Sequence, residues 1–333
     1  MLKTRQRPTL KTLSEHTGLS LSTVSLALRG GENLKEDTRL KVMKAAQELG
    51  YVPDRAGVKL RTGRSNAVGI VLDGHEDSVG FSRNLIHGIS DAVRAEGLLL
   101  NVYPEFDRAE TNRTIQSLIS GGQVDGLILT HTEPQDARVK MLLEMDFPFV
   151  THGRTELFTP HAYHDFDAAA FVAMAVQQLA DRGVGQILAV MAESEIFNHD
   201  MLARQFRAEC EERGITAEIY SGPRRGRDHI RGLRELGLSL ANTGVESILC
   251  DSELTAITVA TGLRDAGISV GDDMPMVAKQ TSDLLYALFP EITGIYEDVY
   301  ASGRELARLL MQRIAGVAAG ELQTLAAPVV YLG

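Results

Sequence analysis

The chain has 333 residues, of which 44% are hydrophobic and 23% charged, with 31 Gly and 10 Pro. This composition predicts a soluble globular protein of two or three packing units and excludes a disordered or collagen-like chain. No apolar run approaches the ~20 residues of a membrane-spanning helix, and the basic N-terminus lacks the apolar stretch of a secretory signal. We therefore expect a cytoplasmic protein with no membrane partner. Cys210 and Cys250 stand far apart, which excludes a disulfide framework and a Cys-rich zinc site.

Charge is distributed unevenly along the chain. Residues 1–66 hold 13 Lys and Arg against 6 Asp and Glu, a balance of +7, and the remaining residues hold 21 against 38, a balance of −17. A basic head on an acidic body suits a polyanion bound at one end, because the body repels it elsewhere. The alternative is a solvated basic extension.

Three short helices are predicted in the basic head. Thr9 precedes the first, LKTLSEHT, and Gly18 can adopt the positive φ that ends it. Ser20 caps the second, in which Val24 and Leu28 lie four residues apart and face inward. The side chains expected on its outer face are Leu21, Ser22, Ser25 and Leu26.

The third predicted helix runs from about Lys35 to Leu49 and ends at Gly50. Its apolar residues at helical spacing are Leu40, Val42, Met43, Ala46 and Leu49. Three short helices with a tight turn and a positive balance form a helix-turn-helix pattern, whose second helix enters the DNA major groove.

From Ala67 onward, apolar runs of about six residues alternate with amphipathic stretches. The predicted strands read AVGIVL, LLLNVY, GLILTH, FPFVTH, QILAVM, AEIYSG, SILCD and PMVAKQ. The predicted helices begin near Phe81, Arg108, Asp136, Asp167, His199, Arg227, Glu253 and Glu297. This alternation predicts an α/β body with parallel sheets covered by helices on both faces. A break at 161–167 divides the strands into two Rossmann-like subdomains.

Ligands of open parallel sheets bind beyond the carboxyl ends of the strands. The polar residues at those ends include Asp73, His75, His131, His152, Arg154, Ser252, Glu253, Lys279 and Gln280. We expect them to line one cleft, with solvated loop residues as the alternative for any single one. No phosphate loop, dinucleotide fingerprint, nucleophile elbow or H-E-x-x-H motif occurs, so neither an enzyme nor a cofactor is expected. His161 and His164 fall in a predicted loop and do not form a helical metal pair.

The residues carry a family resemblance along essentially the whole chain. The quoted segments are TLKTLSEHTGLSLSTVSLALRG, EDTRLKVMKAAQELGYVPDRAGVKLRTGRS, AVGIVLDG, FSRNLIHGISDAV, VDGLILTH, FPFVTHGRT, ILCDSELTAITVATGLRDAGISV and EITGIYEDVYASGRELARLLMQRIAG. They closely resemble the LacI/GalR family of bacterial repressors. The resemblance implies a DNA-binding head at 1–52, a hinge at 53–66 and an effector-binding, dimerising body like periplasmic binding proteins at 67–333. We expect subdomains of about 67–161 plus 293–320 and about 162–292 plus 321–333.

The resemblance also implies roles in DNA binding. Leu21 and Ser22 would reach base edges, and Thr23 and Ser25 would contact phosphates or bases. The family usually has Arg where this chain has Leu26, so the operator should differ there, because Leu offers only apolar contact; the alternative is that Leu26 packs inside. Leu60 matches a hinge Leu that kinks the minor groove, and Arg61 and Arg64 of the hinge would contact phosphates. The remaining candidates are Thr9, Ser20, Asn33, Arg55 and Lys59.

For the effector, the resemblance places Phe81 against a sugar face, Asn198 and His199 near the start of a cleft helix, and Tyr296 on a crossover. The full candidate set is Asp73, His75, Phe81, His131, Arg154, Asn198, His199, Ser252, Glu253, Lys279, Gln280 and Tyr296. Leu202 and Gln280 replace charged groups common in the family, whereas Lys279, Arg154, His131 and His152 supply donors. This pattern favours a sugar acid or sugar phosphate, with a neutral sugar as the close alternative.

The sequence therefore predicts a homodimeric transcriptional repressor that binds a double-stranded DNA operator under the control of a small carbohydrate-type effector. The alternative function is that of a sugar-binding protein of a transport system.

Overall fold

The computed structural model describes residues 8–28, 34–51, 63–73, 79–192, 197–222 and 227–331. The chain divides between Asn66 and Ala67 into two compact units, which we call the head and the body. None of the helices in these ranges has the length and apolar character to cross a bilayer.

The head contains three helices, α1 (Leu10–Thr17), α2 (Leu21–Ala27) and α3 (Glu36–Leu49). Thr9 begins α1 with a reciprocal capping box, in which its hydroxyl accepts from the Thr12 amide and the Thr12 hydroxyl accepts from the Thr9 amide, both at 3.2 Å. Gly18 ends α1 at φ 69°, a left-handed conformation that favours glycine. Ser20 then caps α2 as predicted, since its hydroxyl accepts from the Thr23 amide at 3.1 Å.

The core of the head is small and tightly buried. Its fully buried apolar residues are Leu13, Val24, Ala27, Val42 and Ala45. Of the apolar residues predicted at helical spacing in α3, Leu40 and Met43 are exposed. The apolar stripe of α3 instead follows Val42, Ala45 and Leu49, which lie three and four residues apart.

The body contains twelve strands in its described part. They are β1 (Ala67–Asp73), β2 (Leu99–Glu105), β3 (Gly126–Leu129), β4 (Phe149–His152), β5 (Tyr163–Phe166), β6 (Gln186–Ala192), β7 (Thr216–Gly222), β8 (Ile248–Cys250), β9 (Met276–Gln280), β10 (Thr293–Tyr296), β11 (Gln323–Ala326) and β12 (Val329–Val330). The α-helices are α4 (Val79–Ala95), α5 (Arg108–Ser120), α6 (Ala137–Glu144), α7 (Ala168–Ala180), α8 (Phe197–Arg213), α9 (Arg227–Ser239), α10 (Glu253–Asp265), α11 (Leu284–Leu288) and α12 (Val299–Ile314).

These strands form two six-stranded sheets, one in each subdomain. The first has the order β11-β5-β4-β3-β1-β2 and the second β12-β10-β9-β8-β6-β7. All pairs are parallel except that of β12 with β10, which is antiparallel. Helices α4 and α12 cover one face of the first sheet and α5 and α6 the other. Helices α9 and α10 cover one face of the second sheet and α7 and α8 the other.

The chain crosses between the two sheets three times, after Phe166, after Tyr296 and after Ala326. The expected subdomain ranges are therefore wrong at their internal boundaries: β5 belongs to the first sheet, β10 to the second, and β11 returns to the first. These strands were not predicted because they are short and carry polar side chains, as in the sequence YHDF of β5. Because β5 was not predicted, His164 was expected in a loop. The structure places it in this strand.

A close helix crossing built on two glycines occurs in each subdomain. A Cβ on Gly88 of α4 would collide with the carbonyl oxygen of Tyr300, and one on Gly303 of α12 would collide with the α4 backbone. Gly237 of α9 and Gly262 of α10 meet in the same way. The absence of side chains at these points brings each helix pair into backbone contact against its sheet.

Candidate functional site

The outer face of α2 carries short polar side chains and two exposed leucines. Leu21 is 51% exposed and Leu26 is 36% exposed. The Ser20 hydroxyl lies 2.8 Å from the hydroxyls of both Ser22 and Thr23, so three hydroxyl groups cluster at the start of the helix. Such groups suit phosphate oxygens and base edges. The exposure of Leu26 argues against packing in the head core.

The other residues predicted to contact DNA differ in exposure and in the bonds that their side chains make. Thr9 is exposed, but its side chain is engaged in capping α1. Ser25 lies half-buried on α2. Four residues of the candidate set lie outside the described ranges, namely Asn33, Arg55, Lys59 and Leu60. The DNA contacts of the whole set stay predictions.

In the body, one aromatic and two imidazole rings meet at the carboxyl edge of the first sheet. Phe81, near the start of α4, lies edge-on to His131, with ring centroids 6.1 Å apart, and edge-on to His152 at 5.3 Å. His131 follows β3 and His152 ends β4, which are neighbouring strands. Thus the structure brings together Phe81 and the two strand-end histidines, His131 and His152, that were expected to line the cleft. The Phe81 ring is itself buried in the core of this subdomain, so the cluster joins a core aromatic ring to the polar ring nitrogens of the two histidines.

Glu297 contacts residues of both subdomains. It follows β10 on the crossover, and its fully buried carboxylate lies 3.2 Å from Lys279 Nζ of β9 and 3.5 Å from His152 Nε2 of β4. Burial alone would raise the pKa of Glu297, but the positive charge of Lys279 and the proximity of His152 together lower that pKa to about 2. Glu297 is therefore ionised at neutral pH. Sequence reasoning missed it because β10 was not predicted as a strand.

A second cation of the cleft is also paired. Arg154 Nε donates to the buried Asp165 carboxylate of β5 at 2.8 Å. Its terminal nitrogen lies 3.8 Å from Met201 Sδ of α8, across the cleft in the second subdomain. Lys279 also lies over the ring of Phe166, 5.5 Å from the centroid. Each predicted cationic residue of the cleft therefore lies beside a buried carboxylate.

Three candidates make hydrogen bonds within the second subdomain. Ser252 caps α10 by accepting from the Thr255 amide at 3.2 Å. The buried Glu253 carboxylate accepts hydrogen bonds from the amides and hydroxyls of Thr281 and Ser282. Gln280 is buried and donates to the carbonyl oxygen of Ser282 at 2.8 Å. These contacts engage the three side chains within the second subdomain, and their roles in effector binding stay predictions.

The remaining candidates lie at separate places. Asp73 ends β1 at the carboxyl edge, half-buried. Tyr296 packs against Tyr331 on the face of β10 opposite the buried Ile295, with ring centroids 5.7 Å apart. Within the described residues, Tyr296 makes no ring contact with Phe81, His131 or His152. His75 lies outside the described residues, as do the side chains of Asn198 and His199 on α8.

A buried ion network supports the loop that carries His131. Arg138 of α6 is fully buried and contacts the Asp136 carboxylate at 2.7 Å and the Glu105 carboxylate at 2.6 Å. The same guanidinium donates to the carbonyl oxygens of Thr130 and His131, at 3.0 and 3.1 Å. It thereby holds His131 at φ 52°, a conformation that non-glycine residues rarely adopt. The position of Arg138 in its helix gives no sign that the side chain is buried. The sequence therefore did not reveal this network.

Comparison with known proteins identifies both parts of the chain. Residues 9–54 match the family described as "Bacterial regulatory proteins, lacI family", and residues 176–331 match the "Periplasmic binding protein-like domain". The match of the head counts against a solute-binding transport protein, the alternative drawn from the sequence.

Relatives align over most of their length. The "HTH-type transcriptional regulator AglR" of Rhizobium meliloti is 27% identical, covering 91% of this chain and 86% of its own. The "HTH-type transcriptional regulator CelR" of Thermobifida fusca is 26% identical, with 95% and 94% covered.

Solved structures share the fold. The "transcriptional regulator CelR-cellobiose complex" has a TM-score of 0.70 at 23% identity, covering 98% of this chain and 99% of its own. The lac repressor dimer bound to operator and an anti-inducer has a TM-score of 0.82 at 19% identity, with 98% of both chains covered. With its helix-turn-helix head and its two-sheet body, the chain belongs to the lacI family of bacterial regulatory proteins.

Proposed function

We propose that this regulator represses transcription by binding operator DNA as a homodimer, and that a neutral carbohydrate in the cleft between the two body subdomains controls its operator affinity. The observation that carries the effector class is the pairing of both cleft cations with buried carboxylates. A protein that binds operator DNA acts in the bacterial cytoplasm, so we infer that location for this protein.

The DNA-binding half of this proposal rests on α2. Its exposed face combines hydroxyl groups with Leu21 and Leu26, which suit backbone positioning and contact with thymine methyl groups. One helix-turn-helix reads only a half-site, so a dimer with an inverted-repeat operator is the arrangement that gives specific binding. The relatives named as HTH-type transcriptional regulators support the same function.

The neutral character of the effector follows from charge balance. The sequence-based preference for an anionic ligand assumed unpaired cations, but Glu297 lies beside Lys279 and Asp165 beside Arg154. A sugar hydroxyl both donates and accepts, so it can bind such a pair without adding a net charge to a buried site. The Phe81 ring, buried in the core, packs edge-on against His131 and His152 and adds apolar contact to this group. An aromatic surface with a few placed polar groups is typical of a small-molecule site.

Regulation by a ligand is expected because the cleft residues come from both subdomains. His152 belongs to the first subdomain, Lys279 to the second, and Glu297 to the crossover between them. Asn84 of α4 also donates to the Thr281 carbonyl oxygen of the second subdomain at 3.2 Å. A ligand that contacts both sides favours one arrangement of the subdomains, and the difference in its affinity for two arrangements is what can shift operator binding.

Replacing Leu26 with Arg is expected to change the operator that the protein selects. We expect the wild type to enrich an inverted repeat from randomised DNA. The Leu26→Arg variant should prefer guanine at one position of each half-site, because Arg donates two hydrogen bonds to guanine O6 and N7. Each good bidentate contact discriminates by about 1–3 kcal/mol. Sequencing of the bound DNA measures the shift.

Leu40→Arg is the matched control, since Leu40 is an exposed leucine of α3. It adds the same charge away from α2 and should leave the selected sequence unchanged. Identical preferred sites for the wild type and Leu26→Arg would contradict the placement of Leu26 in the groove. Failure of the wild type to enrich any repeat would contradict operator binding itself.

A further inference from the structure

The first turn of α4 lies against a loop of the second subdomain at a distance that leaves little room for a side chain. A Cβ on Gly80 would lie 3.0 Å from the Ser282 Cβ and 3.3 Å from a carboxylate oxygen of Glu253. Non-bonded carbon atoms pack best at about 3.5–4.0 Å, so a large residue here would push the two elements apart. One turn further along α4, the Asn84 side chain donates to the Thr281 carbonyl oxygen at 3.2 Å. Gly80 and Asn84 are four residues apart and therefore share one face of the helix.

The loop side of this contact is built within the second subdomain. The buried Glu253 carboxylate accepts from the Thr281 hydroxyl at 3.1 Å and from the Ser282 hydroxyl at 3.0 Å. It also accepts from the backbone amides of the same two residues, at 3.4 and 3.2 Å. None of these four bonds involves α4, so the loop keeps its shape whether or not the helix lies against it.

The helix side is anchored in the first subdomain. Phe81, Leu85 and Ile89 of α4 are buried in its core. The backbones of α4 and α12 meet at Gly88 and Gly303. Each side of the contact is therefore a fixed part of its own subdomain, and the two sides separate only when the subdomains move as bodies.

The groups that meet at this contact are polar. They are a glycine backbone, a serine side chain, and an amide that donates one hydrogen bond to a carbonyl oxygen. Water can replace that hydrogen bond at little net cost, whereas separating an apolar interface would expose apolar surface to water. A contact of this kind suits an element that forms in one arrangement of the subdomains and breaks in another.

We propose that Gly80 and Asn84 of α4, with Thr281 and Ser282 of the loop, form a latch that is closed in one arrangement of the subdomains and open in the other. This inference rests on the proposed regulation by a carbohydrate, and it adds the contact that distinguishes the two arrangements. Glu253 holds the loop in the shape that the latch requires. The free energy of the latch contributes to the difference between the arrangements, and thereby to operator affinity.

A disulfide across the latch tests this proposal directly. The double variant Gly80→Cys with Ser282→Cys brings two Cβ atoms near the separation of about 3.5–4.5 Å that disulfides require. Treatment of the full-length protein with oxidised glutathione should form the bond, and peptide mapping by mass spectrometry identifies it. The native Cys210 and Cys250 are buried, and the two single variants control for their reaction.

Operator affinity of the cross-linked protein is then measured by fluorescence anisotropy, with and without glucose, galactose, maltose or cellobiose. We expect a sugar that alters the operator affinity of the wild type to alter that of the cross-linked protein by less than about twofold, because the bond fixes one arrangement. Reduction with dithiothreitol should restore a response to sugar.

Two variants that open the latch give the opposite result. The side chain of Gly80→Leu should keep the latch open, so its operator affinity should lie at the end of the wild-type range opposite to that of the cross-linked protein. Asn84→Ala removes one hydrogen bond and should shift operator affinity toward the same end as Gly80→Leu, by up to about tenfold. Arg83→Leu is the matched control, since Arg83 is exposed on the same turn of α4, and it should leave the response to sugar unchanged.

Failure of the disulfide to form would contradict the latch. A cross-linked protein that responds to sugar as fully as the wild type would also overturn the latch, while leaving regulation by a carbohydrate intact. A wild type whose operator affinity none of the four sugars alters would overturn the proposed regulation and the latch together.

Discussion

Replacing Arg138 with Met is expected to lower the free energy of unfolding by about 3–5 kcal/mol, the cost of leaving buried charges without their partner. Arg138 is fully buried, and its removal leaves the carboxylates of Asp136 and Glu105 close together. Burial already raises the pKa of Glu105 despite the attraction of Arg138 and Arg108. Burial likewise opposes ionisation of Asp136, but its hydrogen bonds and charge interaction with Arg138 lower its pKa overall. Urea unfolding at neutral pH measures the loss.

Two further variants separate the buried network from a general effect of losing an arginine. Arg308→Met removes the exposed partner of Glu305 on α12 and should cost less than about 1 kcal/mol. Adding Glu105→Gln to Arg138→Met should recover part of the loss, because it removes one of the stranded charges. A cost for Arg138→Met no larger than that for Arg308→Met would show that the network is unimportant for stability.

Acidification from pH 6.5 to 4 is expected to remove up to about 3 kcal/mol of stability for each of His161 and His164. Burial lowers the pKa of both imidazoles from 6.5 to about 4. The proximity of His152 lowers the pKa of His164 further, and Glu305, Glu297 and Asp165 oppose this. A group whose pKa is lowered by folding contributes full stability above its unfolded pKa. As the pH falls below 6.5, the unfolded chain takes up the proton first, and stability decreases until the folded histidine also titrates near pH 4.

Urea unfolding between pH 4 and 7 measures this effect, and variants assign it. His164→Gln should reduce the slope of unfolding free energy against pH by up to about 1.4 kcal/mol per pH unit, the contribution of one proton. His87→Gln, at an exposed position on α4, is the control for the loss of an imidazole ring. A slope in His164→Gln equal to that of the wild type would contradict the burial of a neutral His164. Nuclear magnetic resonance titration of the folded protein gives a direct second measurement.

Much of the fold follows from local patterns in the sequence. Helices α5, α9 and α10 begin at the predicted residues Arg108, Arg227 and Glu253, because capping residues and amphipathic periodicity act within a few neighbouring positions. The strands β5 and β10 were missed because they are four residues long and lack a continuous apolar run. Missing them moved the predicted subdomain boundaries to the wrong side of each crossover.

The sequence predicted where the candidate residues lie in the fold, but it did not reveal which residues they pair with. Residues after predicted strands, such as His131 and Arg154, do lie at the carboxyl edge of the sheet, as the topology of parallel sheets requires. Their partners depend on long-range strand pairing, however. Asp165 reaches Arg154 through β5, and Glu297 reaches Lys279 through β10. Without those strands, both cations looked unpaired, and the sequence favoured an anionic ligand.

Operator affinity with and without sugar tests the central claim most directly. Fluorescence anisotropy of the full-length protein on its selected operator, at fixed salt, should show a change of about 5- to 150-fold on addition of the neutral sugar that binds most tightly. Sugar acids and sugar phosphates of the same size should have a much smaller effect, because the cleft cations are already paired. An operator affinity that no neutral sugar alters, or that only the anionic sugars alter, would contradict regulation by a neutral carbohydrate.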